Sequence, residues 1–133
     1  MSQQYALAAG HNNAAGLITL SKTNVGGRPI FVRGAGGYRP GELVVNLAGG
    51  LAPLGFASET WIVSVLLYAQ YEWLRNTFCA GGYSGRVTVR TRTDGLAYAN
   101  YNAILHVPAS GELTRVLGRY ENVELRLLEM VAL

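Results

Sequence analysis

Between Thr60 and Thr93 the hydrophobic pattern changes period twice, and few folds accommodate such a segment. It reads TWIVSVLLYAQYEWLRNTFCAGGYSGRVTVRTRT. Thr60–Leu66 sets Trp61, Val63 and Val65 on one side and Ile62, Ser64 and Leu66 on the other, as a strand apolar on both faces does. Its early β-branched residues favour strand over helix. From Leu67 the spacing lengthens. Leu67, Tyr71, Leu74 and Phe78 make one helical stripe, with Glu72, Arg75 and Asn76 on the opposite side. Gly81-Gly82 then supplies residues able to turn the chain out of a helix. Arg86–Thr93 alternates strictly, with Val87, Val89 and Thr91 inward and Arg86, Thr88, Arg90 and Arg92 outward. The spacing predicts strand, helix over about 67–79, glycine turn and strand. A single helix over Ser58–Cys79 is the rival reading.

The flanking sequence supplies further strands. Asp94-Gly95 marks a tight turn, and Tyr98–Val107 returns from it with Ala99, Tyr101, Ala103, Leu105 and Val107 on one face. Pro108 stops that strand. Ala109–Leu117 reads as a connection with one helical turn around Leu113 and Val116. Arg119–Val131 is a last strand, with Val123, Leu125 and Leu127 facing one way and Glu124, Arg126 and Leu128 the other. Upstream, Gly16–Lys22, Pro29–Arg33 and Glu42–Leu47 read as strands separated by glycine-rich turns. Pro29 lacks a ladder donor and marks a strand start or an edge. Ala48–Ser58 reads as a packed connection. Met1–Ala15 has no period and reads as a flexible N-terminal arm, leaving 16–133 as a single domain. The sum is a mainly β (α+β) chain: an antiparallel β-sandwich or barrel of about seven strands with one packed amphipathic helix.

Composition narrows the function. Only 14% of the 133 residues are charged, against ~25% in an ordinary soluble domain. A chain so poor in charge buries more surface or shares it with neighbours, which favours an oligomer. The net charge is +3, and Lys22 is the one lysine among eleven basic residues. Arginine suits packed interface pairs better than lysine. The start of the chain does not read as a signal peptide, and the apolar run Trp61–Ala69 is too short to span a membrane. The expectation is a protein made in a cytoplasm.

No constellation points to catalysis. Cys79 sits at the apolar end of the helix and reads as a small buried hydrophobe. His11 and His106 stand far apart in sequence, without the ligand spacing of a metal site. Glu59, Glu72, Glu121, Glu124 and Glu129 form no acid–base motif. Gly34–Gly41 (GAGGYRPG) resembles a phosphate cradle only superficially. It lacks the Lys-Ser/Thr pair, and a strand follows it, so it reads as a hairpin tip. The outward row Arg86, Arg90 and Arg92 is the one positive pattern. With Arg75, Tyr98 and Tyr101 it would suit a nucleic-acid-binding β-barrel. Ion pairing between subunits, with Glu124 and Arg126 on the facing side of the last strand, is the favoured alternative. The expectation is no enzyme, no metal and no cofactor.

The order strand, helix, SGRVTVRT, hairpin, YNAILHVP and final strand RYENVELRLLEM resembles small virion proteins of tailed bacteriophages, particularly tail-tube subunits. The resemblance covers roughly the C-terminal half. It implies homo-oligomeric rings, typically hexamers, stacked into a tube in the virion whose lumen passes DNA without specific binding. It implies other virion proteins as partners. The N-terminal arm and the Gly34–Gly41 loop, with Tyr38 and Arg39, would be the stacking candidates. A capsid decoration or head–tail connector role is the alternative within the same class. A DNA-conducting lumen is neutral or acidic, because a basic wall would hold phosphate, so the arginine row should not line it unpaired.

Overall fold

A computed structural model of the chain describes residues 4–32, 42–45, 51–54, 57–92 and 97–133. Its elements are β1 (Ala6–Ala9), β2 (Ile18–Thr19), β3 (Glu42–Val45), β4 (Leu51–Leu54) and β5 (Ala57–Leu67). Helix α1 (Tyr68–Phe78), β6 (Ser84–Thr91), β7 (Ala99–His106), β8 (Thr114–Val116) and β9 (Arg119–Ala132) follow. Among the described residues, seven strands form one antiparallel sheet in the order β2-β1-β6-β7-β9-β5, with β8 also pairing with β9. β3 and β4 pair separately as a two-stranded hairpin. The mainly β, antiparallel, one-helix architecture matches the sequence pattern. The sheet curls without closing into a barrel.

The curl follows from side chains. Val87 and Val89 of β6, Ala103 and Leu105 of β7, and Val123, Leu125 and Leu127 of β9 alternate inward into one buried cluster. Trp61 on β5 lies at one end of the strand order, yet its ring packs 5.3 Å from Tyr5, just ahead of β1 near the other end. Its indole N–H also donates to the Thr91 hydroxyl on β6 at 3.2 Å. The sheet therefore folds over itself, with α1 laid over the core. Tyr71, Leu74 and Phe78 are buried as the helical stripe requires, and Leu67 ends β5 instead of starting the helix. Gln70 is buried too. Its side-chain oxygen accepts from the Leu67 backbone N–H at 3.0 Å, and its amide donates to the Arg28 carbonyl at 2.7 Å. One side chain so fixes the strand-to-helix corner and the preceding loop.

Several expectations are corrected. The segment read as a loose arm contains β1, which pairs with β6 along its whole length, and Tyr5–Ala8 are buried. Small alanines permit close strand packing here but carry no period to read. The expected strand Gly16–Lys22 reduces to the two residues of β2, followed by a 3-10 turn over Leu20–Lys22. Residues 29–32 join no ladder, although Ile30 and Val32 are buried. The Ile30 N–H is spent on the Leu20 carbonyl. Ala48–Ser58, read as a connection, includes β4 and the start of β5. The connection Ala109–Leu117 includes β8. On β5 the alternation slips after Val63, so Leu66 is buried and Val65 only half-buried. Asn122, opposite this slip on β9, has a left-handed φ of 52°. The Asp94-Gly95 turn and the Gly34–Gly41 loop lie outside the described residues.

The helix end is held tightly against β6. A Cβ built on Gly85 would collide with the Phe78 carbonyl oxygen. Gly85→Ala is therefore expected to force the helix off the sheet. Leu7→Ala is expected to cost about 2–5 kcal/mol, as buried leucine truncations do. Urea unfolding of the Leu7 variant separates a core strand from a dispensable arm, since an arm residue would leave the midpoint unchanged.

Candidate assembly surface

The described candidate interface residues fall on two distinct surfaces, and an open strand edge makes a third. Arg86, Arg90 and Arg92 lie on the outer side of β6 and just beyond its end, as their alternation with Val87, Val89 and Thr91 requires. They do not form an open cationic row. Arg90 is half-buried and donates to the Gln4 side-chain oxygen at 3.2 Å. Arg92 stacks on the Tyr98 ring, 5.3 Å from its centroid. It also hydrogen-bonds Tyr5, and that bond is the largest cause of its upward-shifted pKa. Arg86 stays exposed. Between them Thr88, expected outward, is buried beneath the chain that follows β1. Its hydroxyl donates to the Gly10 carbonyl and accepts from the Asn13 N–H, both at 2.9 Å. His11 and Asn12 continue this polar clip onto β7 through Ala103 and Asn102.

Arg75, grouped with that row as a phosphate contact, is occupied elsewhere. Its guanidinium pairs with Glu72 at 3.2 Å, donates to the Gly81 and Gly82 carbonyls, and stacks on Tyr83. It thereby ties the helix to the turn after it, and its pair with Glu72 is the one ion pair among the described residues. Tyr98 and Tyr101 are half-buried against the core and form no exposed stacking platform.

Glu124 and Arg126 are exposed on β9, but β7 separates that strand from β6. The expected arrangement opposite the arginine strand is therefore not formed within the chain. Arg126 instead stands directly across from His106 of β7. With Pro108, Leu113, Asn122 and Glu124 these two residues line a shallow polar groove of about 370 Å³. Tyr38 and Arg39 lie outside the described residues.

The third surface is an edge. β5 runs for 11 residues and is paired on one side only, with β9. No described strand covers its other side. An exposed edge presents unpaired N–H and C=O groups, and native proteins cover it or use it. Sequence reading located this strand without revealing that it ends the sheet, because strand order is set by long-range pairing.

Chemistry inside the fold is sparse. Among the described residues no three His, Cys, Asp or Glu side chains gather as metal ligands, and no helix is long and apolar enough to cross a membrane. Cys79 is buried, and burial pushes its thiol pKa up. Glu59 is the exception that sequence reading missed. It faces inward on β5 and is buried, with one carboxylate oxygen accepting from Thr91 at 2.8 Å and the other without a partner. Burial raises its pKa from 4.5 to about 7, opposed by the Thr91 and Trp61 hydrogen bonds. No family, curated protein or solved structure matches this chain in sequence or fold comparison.

Because the folded state binds the Glu59 proton more tightly than the unfolded chain, this group stabilises the fold below pH 4.5. That contribution is lost as pH rises through about 7. Glu59→Gln keeps an acceptor for Thr91 and removes the cost of ionisation. It is expected to stabilise the protein at pH 8 by about 1–3 kcal/mol and to flatten stability between pH 5 and 8. Urea melts of both proteins at the two pH values check this.

Proposed function

We propose that this chain is a structural, self-assembling subunit of a bacteriophage virion, of the tail-tube kind. Its copies form rings that stack into a DNA-conducting tube. The observation that carries the reading is β5, an 11-residue strand with a described partner on one side only. A second copy supplies the missing partner by adding its own backbone to this edge, as strand addition does elsewhere. The low charge content supports the same reading, since surface poor in charge is well suited to contact between subunits. So does the order of elements from β5 to β9, which follows the resemblance to tail-tube subunits. The absence of a catalytic motif in the sequence leaves assembly as the activity with most support.

In this reading β5 lies between neighbouring copies, and the clip over Thr88 keeps the outer side of β6 from acting as a nucleic-acid groove. Purified protein is expected to form rings or tubes in negative stain, with a matching rise in light scattering as concentration increases. A protein that stays monomeric at high concentration contradicts the proposal. If that monomer bound phage capsids, it would be a decoration subunit instead.

A further inference from the structure

The turn joining β8 to β9 breaks two rules at once. Leu117 and Gly118 are its central residues, and both have positive φ, 43° and 85°. Such two-residue hairpins take Asn-Gly or Gly-Gly, because in that conformation a Cβ crowds the following carbonyl oxygen, which glycine avoids and asparagine tolerates. Here the first position holds leucine, and its side chain is 100% exposed. Neither the strain nor the exposure is compensated by any contact within the described chain. Strained residues of this kind persist where function retains them. Arg115, exposed, and Arg119 flank the tip.

A second irregularity lies further along the same strand. Leu127 and Met130 are both buried, so Leu128 and Glu129 form a bulge between them, with Glu129 at φ 52°. Register shifts against both β5 and β7 mark the place. The bulge leaves Leu128 40% and Val131 47% exposed on the outer face, with Ile104 of β7 paired across from Leu128. Glu129 is exposed among them. Neither Glu129 nor Arg115 enters an ion pair among the described residues.

We propose that the β8–β9 hairpin tip is a knob by which one copy grips the next. Leu117 seats on the Leu128–Val131 patch of a second copy, and Arg115 meets that copy's Glu129. The two surfaces match in kind: an apolar tip flanked by cations and an apolar patch carrying a carboxylate. They lie on one strand, separated by roughly 35 Å at the usual rise of about 3.3 Å per residue, so the tip cannot reach its own patch. Contact between two different surfaces is heterologous, and repeated contacts of this sort close a ring or extend a filament. The inference rests on the self-assembly reading and names a contact distinct from the β5 edge.

Leu117→Asn tests it, since asparagine relieves the turn and removes the knob. The variant is expected to melt no lower than the parent while forming rings only at concentrations at least about tenfold higher. Arg115→Glu and Glu129→Arg are each expected to weaken assembly, and the double variant to restore it. If the parent assembles and Leu117→Asn assembles at the same concentration, the knob is overturned and the self-assembly reading stands. A double variant no better than the single ones overturns the ion pair. If the parent itself fails to assemble, the self-assembly reading falls and the knob falls with it.

Discussion

The fold depends on the contact that Trp61 makes with strands it does not pair with. β5, hydrogen-bonded to β9, itself lies four places along the strand order from β1. Yet the Trp61 indole N–H reaches Thr91 of β6, and its ring meets Tyr5 beside β1. Thr91 passes the connection on to Glu59, two residues from Trp61 on the same strand. A flat sheet cannot make these contacts. Folding the sheet over gives the valines and leucines of β6, β7 and β9 an enclosed interior, which α1 covers with Tyr71, Leu74 and Phe78. Tying β5 to β6 through side chains instead of backbone also has a consequence outside. The ladder does not close, and among the described residues β5 keeps an edge.

Much of this was legible in sequence where a repeating pattern met a single buried face. Val87, Val89 and Thr91 on β6, Ala103 and Leu105 on β7, and Val123, Leu125 and Leu127 on β9 face inward as their alternation requires, and the stripe Tyr71, Leu74, Phe78 marks the helix face. What was not legible lacked a period or depended on distant partners. β1 is built from alanines and one leucine, so its place between β2 and β6 comes from the β6 ladder and from no pattern of its own. Leu66 turned inward because the alternation slips where Asn122 adopts a left-handed conformation, and no local rule announces such a slip. Glu59 and Gln70 are polar residues at buried positions, which composition assigns to the surface. Of the arginine row, Arg86 and Arg92 are exposed, whereas Arg90 is half-buried and Thr88 between them is buried. The row's partners, Gln4 and Tyr5, belong to the segment whose structure was hidden.

Strain and exposure concentrate on β9 and its hairpin. Leu117, Asn122 and Glu129 all take left-handed backbone on or beside this strand. Asparagine tolerates that conformation, whereas leucine and glutamate do so only at a cost. The same strand pairs with three others, β7, β8 and β5, so its geometry is over-determined by neighbours. A strand held that firmly is a suitable base for presenting side chains outward in fixed positions. The buried face of β9 builds the core, and its irregular places shape the surface.

The central claim is that the open edge of β5 is covered by another copy. Amide hydrogen exchange, compared at dilute and at concentrated protein, tests it most directly. In an isolated chain the β5 amides directed away from β9 have no described backbone partner and exchange faster than those of β6 or β9. On assembly, protection is predicted to rise first and most strongly within Ala57–Leu67. Assembled protein whose β5 amides exchange as fast as in the monomer would contradict the account.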